Sequence, residues 1–103
     1  MSLDITILDL EGYPEKQVGI EVEDHYRLMQ LVIKNPNSLF FRINDYYSDA
    51  EFKNNELDLL VKEAKILQTQ CSNDKKLAVF LNTLIDLAKT AKQSHRSLTV
   101  ISD

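Results

Sequence analysis

Tryptophan is absent from this chain of 103 residues, glycine and proline occur only twice each, and there is one cysteine. Each scarcity closes off a class of protein. One cysteine, Cys71, leaves no internal disulfide, which fits a reducing compartment. Two glycines, Gly12 and Gly19, cannot build a phosphate-cradling loop, because only glycine lets the backbone close on a phosphate. Few glycines and prolines also leave little room for long irregular loops. The apolar runs are only a few residues long, far short of a membrane span. The N-terminus has neither a basic stretch nor an apolar core of the kind a secretory signal needs, and the expected compartment is the cytoplasm.

What is present is the composition of one small folded unit. Hydrophobic residues make up 44% and charged residues 27%, too apolar for a disordered chain. The length suits a single domain, residues 1–103, with one core and little left over to wall a deep cleft. The net charge of −4 is unevenly placed. Residues 1–24 hold Asp4, Asp9, Glu11, Glu15, Glu21, Glu23 and Asp24 against Lys16 alone, a net −6. Such a segment repels phosphates and anionic membranes and attracts a basic partner, although net charge also serves plain solubility.

Periodicity outlines the fold. Leu3, Ile5 and Ile7 alternate with Asp4 and Thr6, the period of a half-buried strand. Residues 9–14 form a loop around Gly12 and Pro14. Val18, Ile20 and Val22 alternate again as a short second strand, weakened by Gly19, and the two strands pair as a hairpin. Asp24 caps a short helix over residues 25–34, which ends before Pro36. Leu39–Asn44 reads as a central strand, with Leu39, Phe41 and Ile43 inward and Phe40 on the other face. Ser48 and Glu51 have the spacing of a capping box and one turn of helix. Leu57, Leu60, Val61, Ala64 and Leu67 mark a helix opening at Asn54 or Asn55. Leu77, Phe80, Leu81, Leu84, Ile85, Leu87, Ala88 and Ala91 mark a second, and the short break at residues 71–74 makes the pair an antiparallel hairpin. Ser97–Asp103 alternates as a last strand, joining residues 3–8 and 39–44. The expectation is an α+β fold of order β(β)αβααβ, a three- or four-stranded sheet covered by a helical hairpin and a short third helix.

Reactive constellations are thin. Cys71 with His25 or His95 as base would need a third orienting group, which nothing in the sequence supplies. Glu21, Glu23, Asp24 and His25 lie close together but match no metal-ligand spacing, and acid pairs of this kind are common on solvated strands. Lys62, Lys65, Lys75, Lys76, Lys89 and Lys92 place positive charge on the helical hairpin, yet the sequence pI of about 5.1 argues against nucleic acid. The reading is non-catalytic, with no cofactor, no metal, no nucleic acid and no membrane.

Residues 40–49 are the most informative stretch for binding. Four aromatics fall within eight residues, and Tyr46 and Tyr47 stand among Asp45, Asp49 and Glu51. Tyrosine buries a large area and keeps a polar tip, which suits an interface anchor and equally a core edge. Tyr13 repeats the pattern beside Glu11 and Glu15. If the two preceding strands run parallel, both loops emerge at one end of the sheet. The candidate partner-binding residues are therefore Tyr13, Asp45, Tyr46, Tyr47, Asp49 and Glu51. Two alternatives stay open: a homodimer formed through Phe40 or the edge of the last strand, and a ligand-sensing or enzymatic module with a pocket lined by Tyr26, Tyr46 or His25.

The Leu3–Ile7 strand, the loop of Asp45, Tyr46, Tyr47 and Phe52 leading into Glu56–Leu60, and the end from Ser97 to Asp103 together resemble small bacterial immunity-type proteins of polymorphic toxin systems. Ser102 stands where similar sequences carry glycine before the aspartate. The resemblance implies stoichiometric neutralisation of a cognate toxin inside the producing cell, by a cytoplasmic protein without catalytic residues. An acidic blocker matches a basic toxin, such as a nuclease.

Overall fold

The computed structural model describes residues 2–102; Met1 and Asp103, the latter expected in the last strand, lie outside the described residues. The chain runs β1 (Leu3–Leu8), β2 (Pro14–Ile20), α1 (Val22–Val32), a 3-10 turn (Leu39–Ile43), β3 (Ala50–Phe52), a second 3-10 turn (Asn54–Glu56), α2 (Leu57–Gln70), α3 (Lys75–Gln93) and β4 (Leu98–Ser102). This is an α+β fold with a four-stranded sheet in the order β2-β1-β4-β3. All three pairings are antiparallel, with Leu3 opposite Ile20 on one side and Ser102 on the other.

The alternation in β1 does what its period dictates. Leu3, Ile5 and Ile7 are buried beneath the helices, joined by Leu98 and Val100 of β4 and Phe52 of β3. The apolar stripe of α3 is buried at each of the eight positions named from its spacing, and α2 buries Leu57, Leu60, Ala64 and Leu67. Burying side chains of this size contributes roughly 1.5–3 kcal/mol each. Caps fix the helix ends: the Asp74 carboxylate accepts the Leu77 amide at 3.2 Å. At the other end of α3 His95 takes a left-handed conformation, φ 58°, while Arg96 N–H reaches the Ala91 carbonyl at 2.9 Å and His95 N–H the Lys92 carbonyl at 3.2 Å. Those two bonds are a Schellman closure in which histidine holds the place that glycine usually takes.

Four expectations are corrected. Residues 39–44 are no strand. Ser38 caps a 3-10 turn by accepting the Phe40 amide, and Glu63 of α2 accepts the Leu39 amide at 2.8 Å. Phe40 and Ile43, three apart, are therefore the buried pair, and Phe41 is 38% exposed. The sheet partner of β4 is instead β3, where a helical turn was expected: the Ser48 hydroxyl donates to Asp45 rather than capping a helix with Glu51. The capping role falls three residues before Glu56, whose carboxylate accepts the Lys53 amide at 2.9 Å. Finally, α1 begins at Val22 with Glu21 as its cap residue, so β2 ends at Ile20, and Asp24 lies in the first helical turn, bonded to Arg27.

Candidate functional site

At the end of the sheet where Leu3, Ile20 and Ser102 meet, Tyr46 is driven into the structure. Its ring is only 5% exposed, and its hydroxyl donates to the Ile20 carbonyl at 3.0 Å. The ring meets His25 of α1 edge-on, centroids 5.0 Å apart, and Tyr47 edge-on at 5.4 Å. Such edge contacts align the positive rim of one ring with the negative face of the next. His25 is itself buried, with Nε2 2.5 Å from the Ile43 carbonyl; a carbonyl only accepts, so that nitrogen carries a hydrogen. Burial pushes the Tyr46 phenol above its usual range. Tyr46 is thus the plug that closes the core at this end, and Tyr47, 65% exposed, is the ring it props up toward solvent.

The acids around this plug carry charge and shape the loop together. The Asp45 carboxylate accepts the Tyr47 amide at 2.9 Å and the Ser48 hydroxyl at 2.8 Å. Those two bonds, the amide first, hold it below the ordinary carboxylate range, with a contribution from His25. Asp49 accepts the Ser102 amide at 2.8 Å and so ties the loop to the end of β4. Glu51 is exposed on the sheet face opposite the helices. Glu21 and Asp4 also lie close enough for their charges to act on the Tyr46 hydroxyl. None of Asp4, Glu21, Glu23, Asp45, Asp49 and Glu51 is in an ion pair among the described residues, although other acids of the chain are: Asp24 and Asp74 with Arg27, Glu56 with Arg42, Asp58 with Lys92, Glu15 with Arg96.

Tyr13 is elsewhere. The sheet is antiparallel throughout, so the hairpin tip lies at the other end of β1, five residues or about 17 Å from the Tyr46 plug. There Asp9 organises the turn, its Oδ1 accepting the amides of Glu11 and Tyr13 at 2.9 Å each, with Gly12 at φ 86° where a side chain would be strained. Tyr13 is 65% exposed and Leu10 wholly so. The six residues singled out from the sequence therefore do not form one face: Tyr13 is at the hairpin tip, Asp45, Tyr46, Tyr47 and Asp49 are at the other end of the sheet, and Glu51 lies between, level with Thr6 on the face away from the helices.

Sequence reasoning named Tyr26 and His25 of α1 with Tyr46, and His25 does pack on Tyr46, but it missed Val22, which it placed in a strand. Val22 and Tyr26, one helical turn apart, are 49% and 64% exposed and wall a shallow groove of about 380 Å³ with Glu23 and Arg27. The signal was present in their four-residue spacing, but the same spacing also fits a buried stripe. Arg27 is held by Asp74 and Asp24, both at 2.7 Å, which raises its pKa further and keeps it turned to its own chain.

Among the described residues no three His, Cys, Asp or Glu side chains are grouped to hold a metal ion. The Cys71 thiol is free and buried, and burial, followed by the charge of Asp74, pushes it up, away from the reactive thiolate. No described helix is long and apolar enough to cross a membrane. The chemistry within reach of the acidic end is attraction and packing: carboxylate charge around exposed phenol and aliphatic surface. No protein-family model, no curated protein and no solved structure matches the chain.

Proposed function

We propose that the protein is a non-catalytic binding module whose acidic, tyrosine-bearing sheet end docks a basic protein, and that it serves as an immunity protein neutralising a cognate toxin by stoichiometric binding. One observation carries the reading: Asp4, Glu21, Asp45 and Asp49 gather around a buried tyrosine that presents an exposed one, and none of the four is in an ion pair among the described residues. Unpaired like charges repel one another and cost the folded state stability; a cationic partner relieves that repulsion. The exposed Tyr47 supplies the apolar area that charge alone lacks. The cytoplasm, where a nuclease-type toxin would have to be blocked, is the compartment this role requires.

The test takes the protein retrieved with the tagged chain from its source cell and measures the association rate of the purified pair against salt. Steering by charge predicts a rate that falls by about tenfold or more between low and high ionic strength. Charge reversal should be made at Glu21, whose side chain makes no capping hydrogen bond, because Asp45 and Asp49 also shape the loop. A salt-independent rate, or a partner that binds the reversed variant equally well, would refute the role of this end.

Self-association is the second reading, and its route differs from the one the sequence suggested. β4 is interior and Phe40 is buried, whereas β2 is an edge strand beside an apolar groove walled by Val18, Val79 and Phe80. Sedimentation at micromolar concentration decides it: a monomer rules out this reading.

A further inference from the structure

A cavity of about 560 Å³ opens on the helical side, between the end of α1 and the C-terminal half of α2. Its apolar wall is Leu31, Ile66 and Leu67, and Ile66 is 54% exposed there without a covering element. Its polar wall contains Glu63. One carboxylate oxygen of Glu63, Oε1, is used within the fold, accepting the Leu39 amide at 2.8 Å and the Ser38 hydroxyl at 3.3 Å. The other oxygen makes no hydrogen bond, and Glu63 makes no ion pair, among the described residues.

Two helices end at this cavity, and neither carries a basic residue in its last turn. Each helix C-terminus is equivalent to roughly half a negative charge. Lys34, just beyond α1, lines the same cavity and is the only cation among its lining residues. The Glu63 carboxylate and two helix ends against one lysine leave roughly one negative charge unbalanced, beside a wall that accepts hydrocarbon. The volume is within the range of small-molecule sites, roughly 300–1,000 Å³.

We propose that this cavity binds an organic cation with a short aliphatic body, an ammonium or guanidinium whose head hydrogen-bonds the idle oxygen of Glu63 while its chain packs on Leu31, Ile66 and Leu67. The same chemistry is offered by a free alkylamine and by a lysine or arginine side chain of another protein. The site shares no residue with the acidic sheet end, so its failure leaves that reading untouched and the converse holds.

The experiment is a titration of the isotope-labelled protein, followed by amide chemical shifts, with n-pentylamine, with the neutral isostere n-pentanol, and with a short peptide bearing one lysine. Saturable shifts at Leu31, Glu63, Ile66 and Gln70 with an amine probe, and none with the alcohol, are expected. Glu63→Gln keeps an amide oxygen for the Leu39 cap but removes the charge, and should weaken binding on the order of tenfold, the value of one charge-assisted bond. Lys34→Met removes the internal competitor and should tighten it. Saturation by the peptide but not the free amine assigns the source to a protein side chain, and the reverse to a metabolite; both support the site. Equal shifts with pentanol, no saturable shift with either amine probe, or unchanged affinity in Glu63→Gln would overturn it.

Discussion

Replacing Tyr46 by phenylalanine separates core from interface at the acidic end. The substitution keeps the buried ring and its two edge contacts with His25 and Tyr47, and removes the hydroxyl, which donates to the Ile20 carbonyl at 3.0 Å and is also hydrogen-bonded to the Leu3 backbone. Taking this partner from the two buried backbone groups costs about 1–3 kcal/mol, with no offsetting gain because the ring area is unchanged. In a chain of 103 residues each kcal/mol moves Tm by roughly 4–8 °C, so a fall of about 8–16 °C is expected for a cost near 2 kcal/mol. Tyr47→Ala, at a residue 65% exposed, loses little more than one edge contact and should cost under about 1 kcal/mol. Urea unfolding followed by far-UV circular dichroism reads both, and an unchanged denaturant slope confirms that stability alone has moved. Binding to the partner should show the opposite order: Tyr47→Ala weakens it, and Tyr46→Phe does not. A stable Tyr46→Phe paired with an unstable Tyr47→Ala would mean that the plug is misassigned.

The remaining predictions concern pH and a helix end. Arg42 grips Glu56 through both nitrogens, at 2.7 and 2.5 Å, and holds the carboxyl at about 2 against an ordinary value of 4.5. A carboxylate depressed on folding stabilises fully above its unfolded pKa and loses that contribution as pH falls toward the folded one. Stability should therefore decline from about pH 4.5 to about 2, and Glu56→Gln should flatten part of that slope in an acid titration followed by circular dichroism. An unchanged slope would show that other carboxylates, Asp45 and Asp74 among them, account for the loss. At His95, the left-handed φ of 58° is strained for a side-chain-bearing residue, so His95→Gly should stabilise the fold by about 0.5–1 kcal/mol in the same urea assay, despite glycine's looser unfolded chain.

Much of the fold was legible because one-face burial writes its own period. β1, α3, β4 and the break between the helices were readable for that reason: each buries a continuous face along most of its length. Residues 39–44 were not, and the cause is physical. Leu-Phe-Phe-Arg-Ile satisfies an alternating period and a three-residue period equally, and short apolar runs carry no tie-breaker of their own. The deciding interaction is the Glu63 carboxylate on the Leu39 amide, 24 residues away, which no local pattern contains. The wrong assignment then propagated. With a strand at 39–44, β3 had no place, Phe40 and Phe41 exchanged roles, and the Tyr13 and Tyr46 loops were set at one end instead of two. For the site, composition identified the acids, but only the hairpin at β1–β2 explains why Asp4 and Glu21, seventeen positions apart, reach the same end of the sheet as Asp45 and Asp49.

The placement of charge argues that the acidic end was not left so by chance pairing. The chain has cations enough to neutralise many of its acids, and where it pairs them it does so with care: Arg27 spans Asp24 and Asp74, Arg42 makes a two-pronged contact with Glu56, and Arg96 reaches Glu15 across the sheet's end. Of the seven acids in residues 1–24, only Glu15 and Asp24 take part in these pairs. Asp9 is spent on a turn. Six of the nine lysines stand on α2 and α3, and Lys75 and Lys76 line the groove beside Val18 and Ile20 without pairing with an acid among the described residues. The acids Asp4, Glu21, Asp45 and Asp49, unpaired among the described residues, therefore give this end of the sheet a local field stronger than a net −4 suggests. A field of that shape orients an approaching cationic surface before contact, and salt near physiological strength, with a screening length of about 8 Å, leaves it effective only over the last steps of approach. The exposed Tyr47 waits at that range, so charge sets the direction of docking and the phenol ring, held up by its buried neighbour, supplies the contact that persists after screening.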